Sequence, residues 1–340
     1  MRPIEKEIAL RQLATMLRSA LPLVTALETC AEQAPSRRSA ALWRAIAARI
    51  AAGEMFSAAL AASRAFDRYV IALAEVGEST GELERTLLNA ADCLQRRREH
   101  RALVMNALFY PVTVFLATLA IVWFMLAKVI PALKEFLESQ RRGLPALTQM
   151  LIDVSDWTVA HLPFFAIWAV FAVVALWLAR RNDAVREATD AALFRVPVVG
   201  KVLKLSATAV FSRSLSLLLE SGVTLLAALE TVEGLFRNLR VRRILAEARQ
   251  NVIRGGTLSE VLGRHREFEV MLSRMTAIGE NTGTLGTALS GVADYHEDRL
   301  RMVVKRLGML IEPLMIVLVG SIVGFVYIAF FLAIFSLAGG

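Results

Sequence analysis

The sequence predicts an all-α membrane protein with two homologous cytoplasmic six-helix bundles and three transmembrane helices. Three observations support this fold class: an internal repeat, three long uncharged apolar segments, and helical periodicity in the rest of the chain. The repeat has a constant offset of 202 residues, without gaps. The landmarks that return at this offset include Gly77 and Gly279, Glu78 and Glu280, Gly81 and Gly283, and Pro111 and Pro313.

The repeat covers most of the chain. The matching register extends upstream to the segments at Gln12 and Ser214, which share Leu-rich sequence that ends in Leu-Glu-Thr. The two copies therefore occupy about residues 8–127 and 210–329. Two unrelated Leu- and Ala-rich segments would not keep one register through three glycines and a proline, so we interpret the repeat as a duplication.

Three segments are apolar enough to cross a lipid bilayer. Residues 107–127, 157–179 and 313–340 contain no Asp, Glu, Lys or Arg. Each is long enough to span a hydrocarbon core of about 30 Å. Hydrophobic residues make up 56% of the chain and are concentrated in these blocks, which indicates membrane spans rather than one large core.

Lys and Arg residues predict the orientation. Residues 1–106 carry 15 of them and residues 180–312 carry 20, whereas residues 128–160 carry four. The positive-inside rule then places both repeat copies in the cytoplasm and the C-terminus outside. The net charge of +8 is better explained by anionic lipids than by nucleic acid. The two cysteines, Cys30 and Cys93, are expected to be reduced core residues.

These features divide the chain into six regions. In chain order they are a first helical bundle (1–102), a first transmembrane helix (103–130), a short periplasmic loop (131–156), a second transmembrane helix (157–179), a linker with the second bundle (180–312), and a third transmembrane helix (313–340).

Caps and breakers predict six helices in each copy. Ser57 is expected to cap the fourth helix and Asp67 the fifth. Ser79 and Glu82 have the spacing of a capping box, which would open the sixth helix. That helix is expected to run unbroken over residues 82–127 into the first span, with a kink at Pro111.

The repeated Gly-Glu-x-x-Gly turn is the main candidate site. Glu78 and Glu280 are each expected where one helix ends and the next begins, with the carboxylate bonded to free backbone N–H groups at the start of that next helix. Two alternatives stay open: a polar contact between the copies, and a divalent cation held at a subunit interface. Carboxylates suit a hard cation such as Ca²⁺, but one acid per copy supplies too few ligands alone.

Charged residues near the membrane form a second set of candidates. Arg96, Arg97, Arg98 and Arg101 are predicted to contact anionic headgroups, or else an acidic partner surface. Glu312 lies beside Pro313 where the last span begins, and a carboxylate exposed to lipid is costly. It is therefore expected either to pair with a nearby Lys or Arg or to face a helix drawn from the membrane.

At these residues the chain resembles the type II secretion F / type IV pilus PilC family of inner-membrane platform proteins. The resemblance spans nearly the whole chain and rests on motifs that occur in order. They are the doubled Gly-Glu-x-x-Gly turns, Tyr110-Pro111, Val129-Ile130-Pro131, Leu144-Pro145 with Thr148, Val196-Pro197 with Gly200, and Glu312-Pro313. Ala20 departs from the pattern, because a glycine is expected there and Gly222 retains it.

The resemblance implies a set of partners and a bacterial inner-membrane location. The family's two cytoplasmic bundles work beside a hexameric assembly ATPase that drives pilin or pseudopilin subunits out of the membrane. Self-association and contact with other components of the machine are implied as well.

The sequence contains no recognisable catalytic or cofactor motif. There is no G-x-x-x-x-G-K-[ST] phosphate loop, and the four histidines are scattered and form no metal-binding motif. A non-enzymatic chain without cofactors is therefore expected. A small transporter or channel is an alternative, although three spans are few and carry no charge pattern for an ion path. A membrane-anchored signalling protein is another, although the outer loop is too small for a sensor domain.

Overall fold

The computed structural model describes residues 3–124 and 178–338, together with ten isolated positions between 128 and 175. Of the predicted loop 131–156 the structure describes Asp153 alone, and of the predicted second span 157–179 it describes fewer than half of the residues. Within 3–124 and 178–338 every regular element is a helix and no strand occurs. The predicted all-helical secondary structure is therefore confirmed.

The first copy contains six helices. They are α1 (Pro3–Arg18), α2 (Leu23–Glu32), α3 (Arg37–Ala51), α4 (Phe56–Ser63), α5 (Arg68–Thr80) and α6 (Leu83–Phe124).

The second copy follows a short additional helix, α7 (Asp183–Leu193). Its helices are α8 (Pro197–Glu220), α9 (Leu225–Glu233), α10 (Leu239–Ile253), α11 (Leu258–Arg264), α12 (Val270–Thr282) and α13 (Leu285–Ala338). The offset of 202 relates both ends of α3 to α10 and both ends of α5 to α12.

The turns repeat at the same offset as the helices. Gly53 and Gly255 have φ angles of 88° and 85°, and Gly81 and Gly283 have 74° and 71°. The turn after α1 has a positive φ in both copies as well, with Gly222 at 90° and its counterpart Ala20 at 59°. The duplication is therefore conformational as well as sequential, and Ala20 adopts a conformation that suits glycine better.

Two of the predicted caps are wrong. Ser57 is not the N-cap of α4, because Met55 holds that position and Ser57 lies inside the first turn. Ser79 lies inside α5, where its hydroxyl donates to the carbonyl of Val76, so it forms no capping box. Asp67 does cap α5, and its carboxylate accepts a hydrogen bond from the backbone N–H of Val70.

The two copies share one continuous buried core. Trp43 packs against Phe66 with ring centroids 5.6 Å apart, and the counterpart Phe268 packs against Phe211 at the same distance. Each large apolar side chain removed from water contributes about 1.5–3 kcal/mol to stability. Cys30 and Cys93 are both free and buried in this core, as predicted.

Each copy ends in a long helix. Helix α6 is continuous over 42 residues, about 63 Å at a rise of 1.5 Å per residue, and starts one residue later than predicted. Helix α13 has 54 residues and contains Pro313 in its interior. The side chains of Arg101, Pro111 and Glu312 lie outside the described part of the chain.

Among the described residues one helix is long and apolar enough to cross a membrane, namely α8. Most of the apolar part of α8 is buried inside the protein, and the helix carries Arg213 in an internal ion pair. We therefore interpret α8 as a core helix. Two shorter apolar stretches, Val112–Ile121 and Ile316–Phe325, lie within α6 and α13.

The chain divides into two compact units. The first comprises Met1–Leu103 and Arg186–Met302, and it holds α1–α5 and α8–α12 with the beginnings of α6 and α13. The second comprises Val104–Val185 and Val303–Gly340.

Candidate functional site

The second glycine of each Gly-Glu-x-x-Gly motif ends a helix. Gly81 follows α5 and Gly283 follows α12, both in the left-handed conformation. In the second copy the corner is closed by a hydrogen bond of 3.0 Å from the N–H of Thr284 to the carbonyl of Gly279. A left-handed residue after a helix is a common C-terminal stop, and glycine adopts it without steric cost.

The first glycine of the motif has a different role, because it lies inside a helix that passes close to the next one. A Cβ atom at Gly77 would lie 2.8 Å from the Cα of Leu83 and would overlap the hydroxyl of Thr86. A Cβ atom at Gly279 would lie 2.7 Å from the Cα of Leu285. The missing side chain therefore lets consecutive helices approach closely at the corner.

The glutamate of each motif binds the helix immediately before its own, and we call each motif with this contact a glutamate corner. The Glu78 carboxylate accepts hydrogen bonds from the backbone N–H groups of Phe56 and Ser57, the latter at 2.9 Å. It also accepts one of 2.6 Å from the Ser57 hydroxyl. These donors form the first turn of α4, where free N–H groups and the helix dipole favour a negative charge.

Glu280 repeats this arrangement in the second copy. Its carboxylate accepts hydrogen bonds of 2.6 Å from the N–H of Leu258 and 3.2 Å from that of Ser259, at the start of α11. The predicted chemistry of each glutamate, a carboxylate on free helix N–H groups, is therefore present. The predicted helix was wrong, because the N–H groups belong to the fourth helix of each copy and not to the one that follows the turn.

Of the two open alternatives for these glutamates, the polar contact between the copies is not formed, and the cation at a subunit interface stays a prediction. Both carboxylates bond to a helix of their own copy, so neither bridges the copies. Over the described residues, no three His, Cys, Asp or Glu side chains lie close enough to hold a metal ion.

The arginine run is engaged inside the protein. Arg96 pairs with Glu297 at 2.8 Å, Arg97 with Asp67 at 2.9 Å, and Arg98 with Glu7 at 3.0 Å. Arg97 also lies over the ring of Tyr69, 4.9 Å from its centroid. The geometry thus favours carboxylates of this chain, rather than headgroups or an external partner, as the ligands of these three guanidinium groups.

Sequence reasoning missed the buried acid that joins the copies. Glu297 is 2% exposed and binds Arg96 of the first copy as well as Arg213 of its own copy, the latter at 3.0 Å. Burial opposes the charge of Arg213, but hydrogen bonds to Glu297 and Asp294 outweigh it, so the pKa of Arg213 is raised above its ordinary value. Such a network leaves little freedom for either helix to slide.

The repeat contained a signal for this network. Arg11 binds Asp92 at 2.6 Å and Gln95 at 2.7 Å, and these are the counterparts of Arg213, Asp294 and Glu297. A shared register of one arginine and one aspartate in both copies predicts a pair within each copy. The change from Gln95 to Glu297 marks the place where a second arginine is added.

Further contacts join the copies along α5 and α6. Arg68 on α5 pairs with Glu230 on α9 at 2.9 Å. From α6, Arg85 donates to the carbonyl of Glu220, and Asn89 donates to the hydroxyl of Ser221, both at 3.4 Å. A cavity of about 410 Å³ remains between α5 and α9, lined in part by Val76.

Comparison with known proteins agrees with the doubled architecture. The family described as "Type II secretion system (T2SS), protein F" matches twice, over residues 9–131 and 211–333. The chain is 36% identical to the type IV pilus assembly protein PilC of Thermus thermophilus, with 98% of this chain and 83% of the relative covered. It is 34% identical to the type II secretion system protein F of Pseudomonas aeruginosa, with coverages of 96% and 81%. The chain belongs to the type II secretion system protein F family, and its helices, turns and glutamate corners each occur in two copies.

Proposed function

We propose that this protein is a non-enzymatic inner-membrane platform of a type II secretion or type IV pilus machine. Its role would be to couple a cytoplasmic assembly ATPase to the extraction and polymerisation of pilin or pseudopilin subunits. Relatives named for pilus assembly and for type II secretion support this machine class. The observation that carries the coupling is that each copy ends in one unbroken helix, α6 or α13, that extends into an apolar stretch.

Exposed apolar side chains support membrane insertion of these stretches. Phe109 on α6 is 74% exposed, and Leu314 and Ile316 on α13 are each 67% exposed. Each such side chain left in water forgoes about 1.5–3 kcal/mol, so a lipid environment is the favourable one. We therefore propose the three spans 103–130, 157–179 and 313–340, with regions 1–102 and 180–312 in the cytoplasm as helical bundles and 131–156 in the periplasm.

The proposed coupling is mechanical. The sequence holds no phosphate-binding loop, so work would come from a separate ATPase that contacts the cytoplasmic helices. A helix without a flexible linker transmits a push or a rotation to its far end. The spans kinked at Pro111 and Pro313, together with Glu312, would then act on the apolar helix of a pilin.

The glutamate corners and the ion-pair network around Glu297 would keep the cytoplasmic helices of both copies rigid under load. Glu78 ties α5 to α4, and Glu280 ties α12 to α11. Glu297 ties α6 to α13 through Arg96. Anionic lipids would surround the ends of the spans, where Arg101, Arg180 and Arg181 lie.

Inserted linkers test the coupling. Seven Gly and Ser residues would be placed after Arg101 and after Arg301, and a control would carry seven Ala, Glu and Lys residues at the same sites. The control adds about two helical turns and keeps the helix continuous. We expect both variants to insert and to bind the ATPase, and only the Gly-Ser variant to lose fibre assembly by at least tenfold.

The outcome separates coupling from other roles. Normal fibre formation with both Gly-Ser linkers in place would show that rigid transmission through α6 and α13 is wrong. Loss of fibres in both variants, with ATPase binding intact, would instead point to a strict requirement for the distance or angular register between the cytoplasmic and apolar parts.

A further inference from the structure

The contact between the two copies is one-sided. Beside the Arg96–Glu297 pair, the first copy contributes α5 and α6, through Arg68, Arg85 and Asn89, and the second contributes the end of α8 and α9. A two-fold arrangement would make every such contact twice, at positions shifted by 202. Arg68 with Glu230 would then be matched by Val270 with Glu28, and Asn89 with Ser221 by Gly291 with Ser19.

Those matching contacts are not made within the described residues. Val270 is 61% exposed and Glu28 is exposed as well. A Cβ atom built at Gly291 would find no atom within 4 Å, and Ser19 is exposed. The arrangement of the copies is therefore head-to-tail, and one matching face of each copy remains uncovered.

The two uncovered faces are clearly defined. The open α12 face consists of Val270, Arg274 and Ile278 on α12, with Thr287 and Gly291 on α13. The open α2 face consists of Thr25, Glu28 and Thr29 on α2, with Ser19 and Pro22 from the turn before it.

Their counterparts lie at the contact between the copies. Ser221 and Thr231, the counterparts of Ser19 and Thr29, are each only 3% exposed. Ile278 is 52% exposed, whereas its counterpart Val76 lines the cavity at the contact. A face that is covered in one copy is thus open in the other.

We propose that the open α12 face of one chain binds the open α2 face of a second copy of this chain, and so repeats the contact that joins the two halves of the molecule. Charge supports this occupant. Glu28 and Arg274 have opposite signs, lie on the two different faces, and have no ion-pair partner in the parts of the chain that the structure describes. Glu28 is the counterpart of Glu230, and Arg274 lies one helical turn after the counterpart of Arg68.

A head-to-tail contact adds subunits in one direction and closes into a ring when the rotation permits. If α6 and α13 enter the membrane from the same side, the operation that relates the copies keeps successive chains in one membrane. The ring rests on the proposed function for its self-association and topology, whereas the choice of surface rests on the repeat.

Crosslinking of two differently tagged full-length chains in membranes tests the surface. One chain would carry Glu28→Cys and the other Val270→Cys, and a short bismaleimide would join them. The native cysteines are poor competitors, because Cys30 and Cys93 are buried and burial raises the pKa of the Cys30 thiol to about 11. We expect a product that carries both tags, and none when either variant is expressed alone.

A second pair keeps both charges in place. Thr25→Cys with Ile278→Cys is expected to give the same two-tag product, since the counterparts Ala227 and Val76 line one cavity. A chain with both substitutions of either pair is expected to give a ladder of multimers.

The matched control is the internal contact, Arg68→Cys with Glu230→Cys, which should crosslink within one chain. If the control reacts and neither test pair does, the proposed surface is wrong. The mass of the purified protein then shows whether the surface alone or self-association as a whole is wrong. A multimer would leave self-association standing, and a monomer would overturn it as well. A control that fails to react would overturn the internal contact itself, and with it the proposal that a second chain repeats it.

Discussion

At the scale of single residues, the duplication supplies natural matched pairs. The same backbone position is occupied twice, and where the residue differs the physical effect of the difference can be isolated. Ala20 and Gly222 are the clearest pair, because both have a positive φ and only one is glycine. The left-handed conformation costs a residue with a Cβ about 1–2 kcal/mol, and glycine avoids this at a smaller entropic cost.

Ala20→Gly is therefore expected to stabilise the protein by about 0.5–1 kcal/mol, and Gly222→Ala to destabilise it by a similar amount. The free energy of unfolding would be measured by chemical denaturation, followed by the loss of helical circular dichroism. Equal stability of wild type and Ala20→Gly would mean that the turn after α1 relaxes away from φ 59°.

Glu78 allows a second test at this scale. Glu78→Gln removes the charge and turns an N–H₂ group toward the donors at the start of α4, so a loss of about 1–3 kcal/mol is expected. Glu75→Gln is the control, since Glu75 lies on the same helix and is exposed. A loss of stability on adding a chelator to wild type, absent in Glu78→Gln, would support the cation alternative instead.

Residue partners were the least predictable feature of the chain. The sequence placed Arg96, Arg97 and Arg98 next to a membrane span, which favours headgroups. Their carboxylate partners are 30 to 201 residues away in the chain, and no local pattern connects them. Pairs set by tertiary packing become visible only when the helices are assembled.

At the scale of elements, the helices followed most of their sequence signals, although Ser57 and Ser79 are not the caps that the sequence predicted. Glycines at positive φ and polar caps such as Ser36 and Asn238 mark helix ends locally, and the repeat supplies each signal twice. The Gly-Glu-x-x-Gly motif was predictable as a turn, but the separate roles of its two glycines and its glutamate were not. One glycine ends a helix, the other lets a neighbouring helix approach, and the glutamate binds the helix immediately before its own.

Substitutions at the two glycines distinguish these roles. Gly81→Ala meets open space and is expected to cost about 1 kcal/mol for the strained φ alone. Gly77→Ala keeps an ordinary helical φ but forces α5 and α6 apart, at about 1–3 kcal/mol. Valine at either position is expected to cost at least as much as alanine.

The same denaturation assay measures both changes, and a second substitution tells them apart. Thr86→Ala makes room beside Gly77, so it is expected to recover part of the stability lost in Gly77→Ala and none of that lost in Gly81→Ala. Recovery in both variants would mean that the two glycines serve one function.

At the scale of the whole molecule, the fold divides into a part that buries its apolar residues and a part that exposes them. The repeat and the apolar blocks predicted both parts, because composition and periodicity act over long stretches. The head-to-tail arrangement of the copies was not predictable, since identical helices can pair in a two-fold way or head-to-tail. Burial decides between these two arrangements. Val270 is exposed, whereas Ser221 and Thr231 at the contact between the copies are buried.

The orientation in the membrane is the last prediction. The 15 and 20 Lys and Arg residues of regions 1–106 and 180–312 resist translocation, whereas the four of 128–160 do not. A phosphatase reporter that is active only outside the cytoplasm is expected to work when fused after Gly143 or Gly340 and to be silent after Gly200. A fluorescent protein that matures only in the cytoplasm serves as the matched control and should give the opposite pattern. Activity after Gly200 would invert the topology and place the glutamate corners out of reach of a cytoplasmic motor, whereas silence at Gly340 alone would remove the third span.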